Sequence, residues 1–330
     1  MRFGPVPLDQ AEGAILAHSI ALPQGRLRKG CLLGPQEIAA LRGLGRSEVI
    51  VARLDARDLH EDAAARVIAG ALATGPDAGL ELRPVGTGRV NIHAGVTGIA
   101  GVLAERVDAL NATDPMITLA TVPRWQRLTA GEMVATVKVI AYGVAEASVS
   151  AAAAAGRGAL RMHPARLRQA ALIQTVTSED SGESGHRAIA DRLRALAVAL
   201  HPKRLVPHRE ADLAAALLAT AAADLILILT ASATSDPADV APAALRRAGG
   251  TVERFGMPVD PGNLLFLGQL GGVPVIGLPG CARSPALNGA DWVMERVICG
   301  VPVTGADISA MGVGGLLKEI PQRGRLREAK

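Results

Sequence analysis

Aromatic rings are almost missing: three Phe, one Tyr and two Trp amount to 2% of 330 residues. A reader of single-stranded nucleic acid stacks bases on such rings, so that class is disfavoured. The core must instead be built from Ala, Leu, Val and Ile. Cysteine is sparse, with Cys31, Cys281 and Cys299 and no CxxC spacing. That fits a reducing compartment and no structural zinc. The N-terminus lacks the continuous apolar segment of a secretory signal. The longest apolar run, Leu213–Ala233, is interrupted by Asp224 and reads as an Ala-rich helix followed by a strand rather than a membrane span. A cytoplasmic chain without membrane contact is expected. No GxxxxGK[ST] loop is present, no GxGxxG follows a strand, and Met311–Gly315 is a weak glycine cluster near the tail. No metal-ligand cluster stands out. His163, His186, His201 and His208 are isolated and read as surface or structural histidines.

Charge is close to balanced, with 35 Lys and Arg against 31 Asp and Glu for a net +4. The excess suits an anionic small molecule at least as well as nucleic acid, and no nucleic-acid partner is expected. Hydrophobic residues make up 49%, enough for a large core.

Four regions are expected: a lead-in unit over 1–60, an α+β region over 61–165, an α/β domain over 166–305 and a tail over 306–330. In the lead-in unit, Gly34–Gly45 reads as a helix with Pro35 in its first turn, and Val49–Ala52 as the next strand. In the second region, Glu61–Ala73 and Val102–Asn111 read as helices, and Thr118–Val122 and Met133–Ile140 as strands. The Ala-rich run Ala147–Ala155 reads as an exposed helix stopped by Gly156, and a candidate contact between copies.

From Ala170 onward strand and helix alternate. Strands are expected at Ala170–Val176, Arg204–His208, Leu225–Leu229, Val252–Met257, Leu264–Leu267 and Pro274–Leu278. Helices are expected at Gly185–Leu200, Ala211–Ala222, Val240–Ala248 and Asn288–Val297. Continuous apolar strands between helices predict an α/β fold with a doubly wound, mostly parallel sheet. Ligands bind such sheets beyond the C-terminal strand ends. Four loops fall there: Thr177–Gly185, Thr230–Asp239, Val259–Asn263 and Pro279–Ser284. Small residues in the second and fourth let backbone N–H groups approach an anion at a helix start, with Arg283 as the cation. Plainer roles compete. Ser184 and Asp236 are good helix-start residues, Pro261–Gly262 is an ordinary turn, and Cys281 is a small packing residue.

The order of these loops carries more than any one of them. The run DLILILTASATSDPADVAPAALRRAGGTVERFGMPVDPGNLLFLGQLGGVPVIGLPG, from Asp224 to Gly280, resembles the molybdopterin-binding domain of molybdenum-cofactor biosynthesis proteins. The segments GRVNIHAGVTGI, ALNATDPMITLATV, GEMVATVKVIAYGV, GLPGCARSPALNGADWVMERV and MGVGGLLKEIP are similar to the N-terminal half of two-part proteins. In those, a molybdopterin-binding region is fused to a cytidylyltransferase-type nucleotidyltransferase. The resemblance implies molybdopterin as ligand or substrate, with molybdate and Mg as candidate accompanying ions. It also implies a separate molybdopterin nucleotidyltransferase as partner, and self-association.

Carried onto this chain, it implies cofactor contacts from Ser184, Gly185, Thr230, Ala231, Ser232, Ala233, Pro261, Gly262, Asn263, Pro279, Gly280, Cys281, Arg283 and Ser284. Asp236 and Asp239 are the candidate catalytic acids, with capping as their plainer role. Three departures matter. Ala231-Ser232 stands where molybdenumtransferases usually carry Gly-Gly, Asn263 where they carry Lys, and Cys281 where they carry Asn. Losing the Lys removes a partner for phosphate or molybdate. The implied function is therefore binding of molybdopterin in support of cytidylyl addition, with molybdate insertion as the alternative.

Overall fold

The computed structural model describes residues 1–317 apart from Glu183, Ala221 and Pro261. The chain divides into two compact units, Met1–Met162 and His163–Lys330. No described helix is long and apolar enough to cross a membrane.

The first unit holds two cores. In the smaller, strand Glu48–Arg53 lies between Arg2–Pro7 and Ile15–Leu16. Val49 and Val51 point inward at period two and meet Leu8, Leu16, Leu33 and Leu41, the last from helix Pro35–Gly43. The larger core lies under an antiparallel sheet in the order Ile117–Thr121, Met133–Val139, Arg89–Ala94, Leu80–Gly86. Helix Glu61–Leu72 covers it with Ala64, Ile68 and Leu72.

Two expectations change here. Val102 ends strand Gly98–Val102, and the helix starts later, at Ala104. Helix Glu146–Ala155 is amphipathic rather than wholly exposed, because Val149, Ala152 and Ala153 are buried. It ends against Gly156, where a Cβ would sit 2.5 Å from Leu110 Cδ1. Only a residue without a side chain fits that approach.

The second unit is built on one sheet, and the labels that follow refer to it. Its strands are β1 (Gln169–Val176), β2 (Ala199–Leu200), β3 (Arg204–Pro207), β4 (Leu225–Leu229), β5 (Thr251–Met257), β6 (Asn263–Leu270) and β7 (Val273–Leu278). The order is β2-β1-β4-β7-β6-β5, with β3 beside β2 on the flank of β1. Pairs β1–β2, β1–β3, β1–β4 and β4–β7 are parallel; β6 runs antiparallel to β5 and β7. Helices α1 (His186–Arg194), α2 (Glu210–Leu218), α3 (Val240–Arg247) and α4 (Gly289–Ile298) complete the α/β layers, followed by the short α5 (Gly305–Ser309). Every residue of β4 is buried, which is why it reads as an unbroken Leu/Ile run. The sheet is the expected doubly wound, mostly parallel one.

Helix α1 is shorter than the apolar pattern suggested. It stops at Arg194, and Ala197 takes φ +55°. Val198 N–H then donates to the Leu193 carbonyl, and the apolar residues of 198–200 lead into β2 instead of a further turn. Likewise α2 ends at Leu218, before the expected Ala222. The Met311–Gly315 cluster is a short turn whose Gly315 carbonyl accepts Asp260 N–H, not a nucleotide loop.

Candidate functional site at the carboxyl edge of the sheet

Strands β1, β3, β4 and β7 all end on one edge. Leu229 of β4 pairs with Leu278 of β7, so the loops after them start side by side. The antiparallel β6 begins at that edge, which puts Gly262 and Asn263 on it too.

Arg283 joins two of these loops to its own. Strand β7 ends at Leu278, and Gly280–Arg283 forms one tight 3-10 turn that aims the guanidinium back across the edge. Its Nη2 donates to Asp180 Oδ2 and to the Thr230 carbonyl, both at 2.9 Å, and its Nη1 to the Ser184 hydroxyl. Asp180 and Arg283 are only about a quarter exposed, at 24% and 21%. The expected cation is thus present, but much of its donor capacity already braces the site.

Ser184 does not cap α1, contrary to the expectation from residue type. Its hydroxyl accepts from Arg283, and Gly185 takes the cap position at φ +89°. Among the described residues no side chain caps this helix, and no acid lies in its first turn. Orphan N–H groups at its start therefore face the edge with the positive end of the helix dipole. Gly185 is required there twice over. Its φ is left-handed, and a Cβ would lie 3.0 Å from both Arg283 Cγ and Leu229 Cδ2.

The small-residue loop after β4 is held from below. Thr175 is fully buried, and its Oγ1 accepts Ala231 N–H at 2.8 Å. The same oxygen lies 2.8 Å from His208 Nδ1 at the end of β3. Thr230 turns inward, its Oγ1 donating to the Ser232 carbonyl. Ser232 and Ala233 are exposed at the tip. Asp236 accepts Ala238 N–H in a local turn, while Asp239 caps α3 and accepts from both Val240 and Ser235. Both acids fill backbone-capping roles.

Beneath the last turn, Arg192 of α1 donates to the carbonyls of Ala282, Ser284 and Ala286 and pairs with Asp291 at the start of α4. This arginine fixes the turn that carries Pro279, Gly280, Cys281 and Ser284. Gly280 and Ser284 are exposed, Cys281 is half-buried and Pro279 is buried.

The third loop is placed differently. Asn263 is buried, its Oδ1 accepts Leu265 N–H, and its Nδ2 has no partner among the described residues. No hydrogen bond joins it to Arg283, Ser184 or Thr230. Gly262 is exposed, and Pro261 lies outside the described residues. The structure thus gathers Ser184, Gly185, Thr230 and Arg283. It holds Ala231, Ser232 and Ala233 beside them and leaves Asn263 packed within the sheet. Among the described residues no group of three or more His, Cys, Asp or Glu is arranged to hold a metal.

Sequence reasoning passed over Thr175, Asp180, His208 and Arg192. Each acts through a partner distant in the chain, and only position at a strand end or helix start hinted at a role.

Residues 174–297 match the family described as "Probable molybdopterin binding domain", and residues 5–53 match a "Domain of unknown function". Among solved structures, the chain is similar to a molybdopterin biosynthesis MoeA protein from Pyrococcus horikoshii. The identity is 13%, covering 93% of this chain and 75% of that one, with a TM-score of 0.29. It is also similar to a molybdenum cofactor biosynthesis protein B, at 13% identity over 41% of this chain and 96% of that one, with a TM-score of 0.30. Values this low carry nothing about the chemistry here. No curated relative matches the chain.

Proposed function

We infer, from the match of residues 174–297 to the molybdopterin-binding domain family, that this chain holds molybdopterin, or its molybdenum form, in the cytoplasm for cytidylyl addition by a separate nucleotidyltransferase. The observation that carries the reading is the open N-terminus of α1 beside Arg283. A terminal phosphate would meet unspent backbone N–H groups, the Ser184 hydroxyl and a guanidinium braced within the same edge. The exposed Ser232–Ala233 tip leaves room for a flat heterocycle next to that anion.

Holding is favoured over chemistry because both candidate acids are engaged in capping, and because Asn263 is buried where a lysine would be needed. The donor set suits phosphate and a polar ring edge.

The test pairs the purified chain with a molybdopterin cytidylyltransferase, molybdopterin and CTP. Faster or more complete cytidylylation in the presence of the chain is expected. If the chain alone converts adenylylated molybdopterin in a molybdate-dependent manner, it is a molybdenumtransferase and the reading is overturned.

A further inference from the structure

The first unit offers a second candidate site. A cavity of about 500 Å³ opens along strand Arg2–Pro7, lined by Arg2, Phe3, Gly4, Gln10, Val51 and Arg53 among others. Its volume falls within the range of small-molecule sites, about 300–1,000 Å³.

Two features of this strand pair stand out. Arg2 and Arg53 are direct cross-strand partners, so two guanidinium groups project from the same face of the sheet. Like charges placed opposite each other destabilise a sheet. Asp55 offsets Arg2 at 3.4 Å, whereas Arg53 donates to the Gln10 carbonyl and gains no countercharge from it. Next along the same face comes Gly4, opposite Val51. A Cβ at Gly4 would meet nothing within 4 Å. Glycine inside a strand weakens it, and commonly marks a place where a ligand approaches the backbone.

We propose that this niche binds the anionic group of a small molecule, a phosphate or carboxylate. Arg53 and Arg2 supply forked donors suited to either headgroup. The bare backbone at Gly4 admits the group.

The experiment follows backbone amide signals of the whole, isotope-labelled chain during titration with inorganic phosphate, phenyl phosphate or benzoate. Saturable shifts at Gly4, Val51 and Arg53 are expected with at least one of the three anions. Saturation by inorganic or phenyl phosphate names phosphate as the headgroup, and saturation by benzoate alone names a carboxylate. Arg53→Gln should weaken binding about tenfold, equal to about 1.4 kcal/mol. Arg2→Gln changes a side chain that is 78% exposed, so it tests the site without risk to folding and should weaken binding likewise. Arg247→Gln in the second unit should leave it unchanged. Absence of saturable shifts at these residues, or undiminished binding in both arginine variants, would overturn the proposal.

Discussion

Replacing Arg192 with Met tests how the final turn of the site is held. The side chain is 11% exposed and pairs with Asp291, itself 7% exposed, while donating to three loop carbonyls. Methionine keeps the length and removes the charge. Removing one partner of a buried pair costs about 3–5 kcal/mol, because the other charge stays buried. The loop carbonyls soften this little: Ser284 is exposed and its carbonyl can take water, but Ala282 is buried. A loss of roughly 3–4 kcal/mol is therefore expected for the second unit.

The assay is urea unfolding followed by tryptophan fluorescence. The chain has only Trp125 and Trp292, and Trp292 lies next to Asp291, so a Trp125→Phe background reports on the second unit alone. Adding Asp291→Leu should recover about 1–2 kcal/mol by removing the stranded carboxylate. Recovery stays partial because Asp291 Oδ2 also accepts Asn288 N–H at the start of α4. A change below about 1 kcal/mol for Arg192→Met would refute the bracing role, since that is the size of an exposed pair.

Gly277→Ala should destabilise the chain by roughly 1–3 kcal/mol, because a Cβ there would lie 2.0 Å from Phe266 Cε1 inside a packed core. Thermal unfolding reads it directly. Asp239→Ala should cost about 1 kcal/mol as a lost helix cap, and Asp236→Ala less than about 0.5 kcal/mol. A large loss of function from either without matching instability would instead mark that residue as catalytic. Hydrogen bonds from Thr304, and then the Arg296 guanidinium, hold the Asp307 carboxyl down at about 2, below its usual 3.8. The folded state thus binds this proton less readily than the unfolded chain does. Its stabilising contribution is present above about pH 4 and is lost as the pH falls toward 2. Asp307→Asn should flatten that part of the acid-unfolding curve.

Much of the second unit can be read from one sequence because its signals are local. The buried run Leu225–Leu229, the Gly249–Gly250 stop and the Asp239 cap each act within a few residues. Helix α1 was overextended because apolar spacing continues to Leu200 while the chain has already turned at Ala197. In the first unit, edge strand Leu80–Gly86 escaped notice because it is largely exposed and shows no alternation. The site was legible as a set of loops but not as a set of contacts. Arg283 meets Thr230 across 53 positions, and Arg192 meets Asp291 across 99. Periodicity carries no trace of such pairings. Residue type alone made Ser184 a cap and His208 a bystander, whereas the fold gives Ser184 to Arg283 and joins His208 to Thr175.

The most direct test of the central claim is the amount of pterin retained by the chain when it is purified from cells that make the cofactor, read as fluorescence after release and oxidation. Retention should approach one pterin per chain and fall at least tenfold in Arg283→Met, with Arg247→Gln retaining the full amount. A protein that folds and carries no pterin, or an Arg283→Met variant that retains as much as the unaltered chain, would contradict it.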